Sequence, residues 1–129
     1  MRPRPRRLGL LALLSLLGGC LYVPPGWQPD PNRPPQILRP EGDLQDIPLV
    51  MDRDTRLTVV ARDPEGEPLD FVWIVGVDVP FDWTTSTEGD LWYSVMRISP
   101  DPELDGRRIE CVVSDGELEE SVTWLVTVP

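Results

Sequence analysis

The chain has 129 residues, with 12 basic side chains (all arginine) against 22 acidic ones, and no histidine. The length points to one domain with room for a tail, and the net charge of −10 argues against nucleic acid as a partner. Without histidine there is no Ser-His-Asp or Cys-His arrangement and no His-ligated metal site, and no glycine-rich phosphate loop occurs.

Met1 to Arg7 is positively charged, with Arg2, Arg4, Arg6 and Arg7 and no acid. Leu8 to Leu17 follows as an apolar run, about half the roughly twenty residues that a bilayer-spanning helix needs. The run ends in Leu17-Gly18-Gly19-Cys20. This tetrad lacks the A-x-A-like end of an ordinary cleaved signal. It resembles a lipobox, the processing site of bacterial lipoproteins. The resemblance implies that residues 1–19 are a signal peptide and that Cys20 becomes the first mature residue. Cys20 would then carry the acyl chains and join the protein to the lipid bilayer. Each buried methylene contributes about 0.8 kcal/mol, so two or three chains hold firmly. Leu21 rather than Asp follows the cysteine, which by the sorting rule of some Gram-negative bacteria implies the outer membrane. Without the leader, eight arginines face 22 acids. A lipid-modified Cys20 has no free thiol, so Cys111 stands alone and no disulfide is expected.

Residues 20–35 read as a tether. Tyr22 to Gln36 holds six prolines in fifteen residues, which excludes a helix or a sheet interior. An extended spacer of about 3 Å per residue is the form such a stretch takes. Trp27 lies within it, able to rest on the domain or on the lipid interface.

Residues 36–129 read as one domain of strands and turns. Short strands are predicted at Gln36–Arg39 and Ile47–Val50. Arg56–Arg62 alternates, with Leu57, Val59 and Ala61 on one face. Asp63-Pro64-Glu65-Gly66-Glu67-Pro68 is a dense turn signal. Leu69–Val77 follows with Phe71, Trp73 and Val75 alike, and the stretch from Gly76 to Gly89 reads as irregular. Leu91–Ile98 is a strand of poor alternation, so that one of Trp92 and Tyr93 faces outward. After a turn-rich crossover at Ser99–Gly106, Arg107–Ser114 carries Ile109, Cys111 and Val113 on one face. Asp115-Gly116 is a hairpin turn, and Glu119–Val128 aligns Val122, Trp124, Val126 and Val128. No stretch keeps helical periodicity over ten residues. The pattern predicts an all-β antiparallel sandwich of about seven strands.

Val59, Trp73 and Cys111 carry a second resemblance. Trp73 stands fourteen residues after Val59, and Cys111 thirty-eight after Trp73. With the phrases Leu57 to Leu69 and Glu110 to Gly116, this spacing resembles the immunoglobulin-like family, in the cadherin-like or PKD-like form of bacterial extracytoplasmic modules. The resemblance implies that Val59, Trp73 and Cys111 meet between two sheets. Val59 occupies the place of the family's first cysteine, and Ile109 that of its corner tyrosine. The expected core is therefore held by packing, with Cys111 buried and inert.

No catalytic residue is expected. Asp63, Glu65, Glu67 and Asp70 are the candidates for Ca²⁺, as acidic loops of related surface modules suggest; no other cofactor is implied beyond the lipid on Cys20. Trp83, Trp92 and Tyr93 are the candidate partner-binding aromatics, near Phe81. The function expected is a membrane-anchored envelope lipoprotein whose domain is a non-catalytic binding or structural module for a protein or glycan. The rival is a small periplasmic enzyme or accessory subunit using carboxylate chemistry.

Overall fold

The structure, a computed structural model, describes residues 31–129. Cys20, the leader, Trp27 and most of the proline-rich stretch lie outside the described residues. Eight strands occur among those described: β1 (Gln36–Arg39), β2 (Ile47–Val50), β3 (Thr55–Arg62), β4 (Asp70–Val75), β5 (Phe81–Glu88), β6 (Leu91–Ile98), β7 (Arg108–Ser114) and β8 (Glu119–Thr127). They form two four-stranded sheets, ordered β1-β3-β6-β5 and β2-β8-β7-β4. The sheets face each other across one apolar core, the arrangement that strands with one apolar face require.

The alternation read from the sequence sets the inner faces. Leu57, Val59 and Ala61 of β3 are buried, as are Phe71 and Trp73 of β4, Ile109, Cys111 and Val113 of β7, and Val122, Trp124 and Val126 of β8. On β6 the inner residues are Trp92, Ser94, Met96 and Ile98, so Tyr93 is the outward aromatic, paired across the ladders with Val60 and Ser86. Trp73 sits directly opposite Cys111 on β7, and Val59 opposite Ser94 on β6. The indole of Trp73 stacks on Trp124 at 5.7 Å between ring centroids. Its Nε1–H donates to the buried Ser94 Oγ at 2.9 Å. The expected meeting of Trp73, Cys111 and Val59 thus holds, with Ser94 and Trp124 as unforeseen partners.

Two features differ from the expectation. Residues 81–88, read as irregular, form the eight-residue strand β5. Among the described residues it pairs only with β6, and all but one of its residues are exposed. An edge strand with neither face covered shows no apolar alternation; only its Thr and aromatic content favours a strand. The sandwich is also not wholly antiparallel, because β2 runs parallel to β8. The chain pairs first with β3 as β1, then passes to the other sheet and joins β8 as β2. Gly42 and Asp46, with φ of 85° and 51°, take the left-handed conformations of that passage.

The crossover between β6 and β7 contains a one-turn 3₁₀ helix, Pro102–Leu104. Asp101 caps it by accepting the Glu103 N–H at 2.9 Å, and Leu104 closes the core, fully buried.

Candidate functional site

Three segments meet at one end of the sandwich. They are the chain ahead of β1, the β3–β4 turn and the β7–β8 turn. Each turn is organised by an aspartate. Asp63 Oδ2 accepts the N–H groups of Glu65 and Glu67 at 2.8 and 2.9 Å, and Gly66 takes φ of 77°. Asp115 Oδ1 accepts the N–H groups of Glu117 and Leu118, both at 2.8 Å. Asn32 reaches into this corner, its Nδ2 donating to Asp115 Oδ2 at 3.1 Å and to Glu117 Oε1 at 2.9 Å.

The result is a crowd of oxygen atoms. One carboxylate oxygen from each of Asp63, Glu67 and Asp115 lies within 4.8 Å of the others. Asp63 is only 8% exposed, and its Oδ1 is buried with no hydrogen-bond partner among the described residues. Asn32 Oδ1 is likewise buried and unpartnered. Desolvation pushes the Glu67 carboxyl above its usual range, and the charges of Asp63, Asp115, Glu117 and Glu65 push it the same way. The backbone N–H groups of Leu118 and Glu117 hold Asp115 below that range.

Of the four carboxylates singled out in the sequence, the fold brings Asp63 and Glu67 together and separates the others. Glu65 turns away to Arg33, whose Nε lies 2.9 Å from Oε2 and whose backbone N–H also donates to it. That N–H, then the guanidinium, lowers the Glu65 carboxyl. Asp70 opens β4, exposed and opposite Ser114. Asn32 and Asp115 were missed. Each reads locally as a linker or turn residue, and only the pairing of β7 with β4 and β8 brings Asp115 to Asp63.

The candidate aromatics do not form one cluster. Trp83 is 40% exposed and stacks on Phe81 at 5.9 Å, while Trp92 packs half-buried against the core near the acidic corner. Tyr93 lies on the opposite face of the sheet. A separate apolar surface lies on β4, which among the described residues pairs only with β7 and so leaves one edge open. Val72 and Ile74 point outward there, 50% and 47% exposed, and Val72 sits beside Val112 of β7.

No protein-family model and no curated protein matches the sequence. Solved structures match the fold. The Dpr2 Ig1–Ig2 chain in complex with DIP-Theta Ig1–Ig3 matches with a TM-score of 0.55 and 14% identity, over 76% of this chain and 33% of that one. The titin tandem A164–A165 matches at 0.52 and 10%, over 76% and 50%. Titin domain M7 matches at 0.50 and 16%, over 78% of this chain and 99% of that domain.

The domain has the immunoglobulin-like fold.

The immunoglobulin-like domain thus spans a third to a half of the multi-domain chains it matches, and nearly the whole of the single titin domain. Val59 and Cys111 occupy the strands that the sequence assigned to the family's cysteine pair, β3 and β7. Cys111 is a free thiol, fully buried, and burial pushes it up to about 12. At neutral pH it is therefore a thiol and a poor nucleophile.

Proposed function

We propose that the protein is a lipid-anchored module of the bacterial cell envelope whose immunoglobulin-like domain binds a protein partner and does not turn over a substrate. Attachment rests on Leu17-Gly18-Gly19-Cys20 behind the arginine-rich start. The binding half rests on one observation, the outward apolar pair Val72 and Ile74 on the open-edged strand β4. β-Branched side chains left in water beside unpaired backbone groups suit a partner that covers them, by side-chain packing or by adding a strand. The immunoglobulin-like chain Dpr2 is itself found in complex with another such protein. Leu21 after the cysteine favours the outer membrane.

A glycan is the second reading, favoured by the exposed Trp83 ring stacked on Phe81. The carboxylate-enzyme reading loses ground because Asp63, Glu67 and Asp115 crowd their oxygens within 4.8 Å of one another, closer than the roughly 5–9.5 Å at which paired catalytic carboxylates flank a glycosidic bond.

Both halves are open to experiment. Cells fed an alkyne-tagged fatty acid should label the full chain, and Cys20→Ala should lose the label and leave the membrane fraction. Persisting label in that variant would remove the anchor from Cys20. A photo-cross-linking residue at position 74 should capture a discrete protein in intact cells, while one at Thr84, on the other sheet, should not. Equal capture at both positions would remove the β4 face as the binding surface, and capture of glycan through position 83 alone would transfer the function to Trp83.

A further inference from the structure

We propose that the outward face of the sheet β1-β3-β6-β5 lies against an anionic phospholipid surface, held there by arginines. The inference rests on the lipid anchor proposed above, which sets the domain beside a bilayer. The chain carries 22 acids, yet none occurs in β1, β3 or β6. Those three adjacent strands carry four arginines instead, Arg39, Arg56, Arg62 and Arg97, all exposed. The register puts them on one face. Leu57, Ala61 and Met96 are buried in the core, so Arg56, Arg62 and Arg97, each one position away, point outward. Arg39 pairs with Val60 of the same outward row. Arg56 and Arg62 lie about 20 Å apart along β3. Tyr93, opposite Val60, stands among them, an aromatic with the amphipathic character found at membrane interfaces.

The pairing within the face is itself unfavourable. Arg56 and Arg97 sit directly opposite each other across β3 and β6. Like charges at such positions destabilise a sheet. Asp82 of β5 opposes Arg97 from the other side, at 3.7 Å with both groups exposed. Arg62 donates to the neutral Gln36 at 3.2 Å. Arg39 and Arg56 form no ion pair among the described residues. Guanidiniums short of internal carboxylates suit external phosphates, which accept their hydrogen bonds in pairs. Acids stand at the rim of the face: Asp54 just before β3, and Asp82 and Glu88 on the edge strand β5. The net negative charge of the chain does not cancel the patch. Exposed charges beyond about 8 Å are largely screened at about 0.15 M salt, and the acids of the second sheet lie across the core, about 10 Å further.

The stretch between Cys20 and Asn32 holds eleven residues. At about 3 Å each they span roughly 35 Å, enough for either sheet to reach the bilayer, so charge chooses the face. The tether also keeps the arginines at high local concentration, which lets a weak attraction suffice. Each arginine near an anionic surface shifts the balance about fivefold. With this sheet against lipid, the second sheet faces away. Val72 and Ile74 on β4 are then presented to a partner rather than to the bilayer.

The test uses the full lipidated chain on phosphatidylcholine vesicles with and without about one-third phosphatidylglycerol. A polarity-sensitive dye is placed on Thr58→Cys, within the face, or on Thr127→Cys, exposed on the second sheet beside Val50. Cys111 is buried and does not compete for the dye. Emission from position 58 should shift to the blue on anionic vesicles only, and return toward the free value at about 0.5 M salt. Emission from position 127 should not move. Arg56→Gln with Arg97→Gln should lower the docked-to-free ratio about 25-fold. The same pair should leave the melting temperature unchanged or higher, since it removes a like-charge contact. No shift at 58, an equal shift there on neutral vesicles, or a shift at 127 alone would overturn the face. Flotation with neutral vesicles reads the anchor by itself. A chain that fails to float loses the anchor, and the dye at 58 with anionic vesicles in lipid excess still decides the face.

Discussion

Trp73 is the residue on which several layers of the core converge. It is 3% exposed, faces Cys111 across the ladder, stacks on Trp124 and satisfies Ser94. Trp73→Ala should cost roughly 3–5 kcal/mol by opening a cavity, a large part of the roughly 5–15 kcal/mol that holds a domain folded. Trp73→Phe tests a separate contribution. It keeps an aromatic ring but leaves Ser94 Oγ buried without a donor, at about 1–3 kcal/mol. Urea unfolding of Trp73→Phe and of Trp73→Phe with Ser94→Ala separates the two. Recovery of stability in the double variant is expected; no recovery would mean the hydrogen bond is immaterial. The position of Trp73 was legible because alternation around it is local. Its hydrogen bond was not, since a serine at an apolar-face position of a poorly alternating strand carries no sign of its partner.

At the scale of elements, β5 and the β3–β4 turn behave in opposite ways. β5 leans on β6 alone, with both faces largely in water. Its backbone amides should exchange with solvent well ahead of those of β3 and β6. Gly89, which turns β5 into β6, has φ of 63°, and a Cβ there would meet nothing within 4 Å. Gly89→Val should therefore cost about 1–2 kcal/mol through left-handed backbone strain alone. The loss should appear as reduced amide protection in β5, with the core strands unchanged; loss of protection spread over β7 and β8 would contradict the picture of β5 as a separable edge. The β3–β4 turn is by contrast tightly specified, with Asp63 holding two N–H groups and Gly66 supplying the positive φ. That turn was plain in the sequence because its chemistry is contained in six residues. β5 was not, because an uncovered strand has no buried face to set a period of two.

The molecule as a whole is acidic, and the few arginines are placed to matter. Arg108 on β7 reaches Asp46, ahead of β2, with Nε 2.7 Å and Nη2 3.2 Å from its two carboxylate oxygens. The hydrogen bond from Arg108 lowers the Asp46 carboxyl below its usual range. A folded value below the unfolded one means that the pair contributes stability above the unfolded value, near pH 4, and that this is lost as pH falls through the folded value. Carboxyl NMR should find the Asp46 midpoint depressed in the wild type and returned to the ordinary range in Arg108→Leu. The stability gap between the two proteins should close as pH drops through that midpoint; a gap constant down to full protonation would show that Arg108 acts through packing instead. The sequence alone determined what depends on near neighbours: the strands with one buried face, the turns that join them, and the inner positions of Val59, Trp73 and Cys111. Side chains alternate every residue, so a strand declares its own inner face. Only the tertiary structure decided which strands pair, that β2 runs parallel to β8, and that β4 keeps an open apolar edge. It alone also brought Asn32, Asp63 and Asp115 into one corner. Those outcomes depend on contacts between residues far apart in the chain, such as Asn32 with Asp115 at 83 positions and Ile47 with Trp124 at 77, and no local pattern records which distant segment a turn will meet.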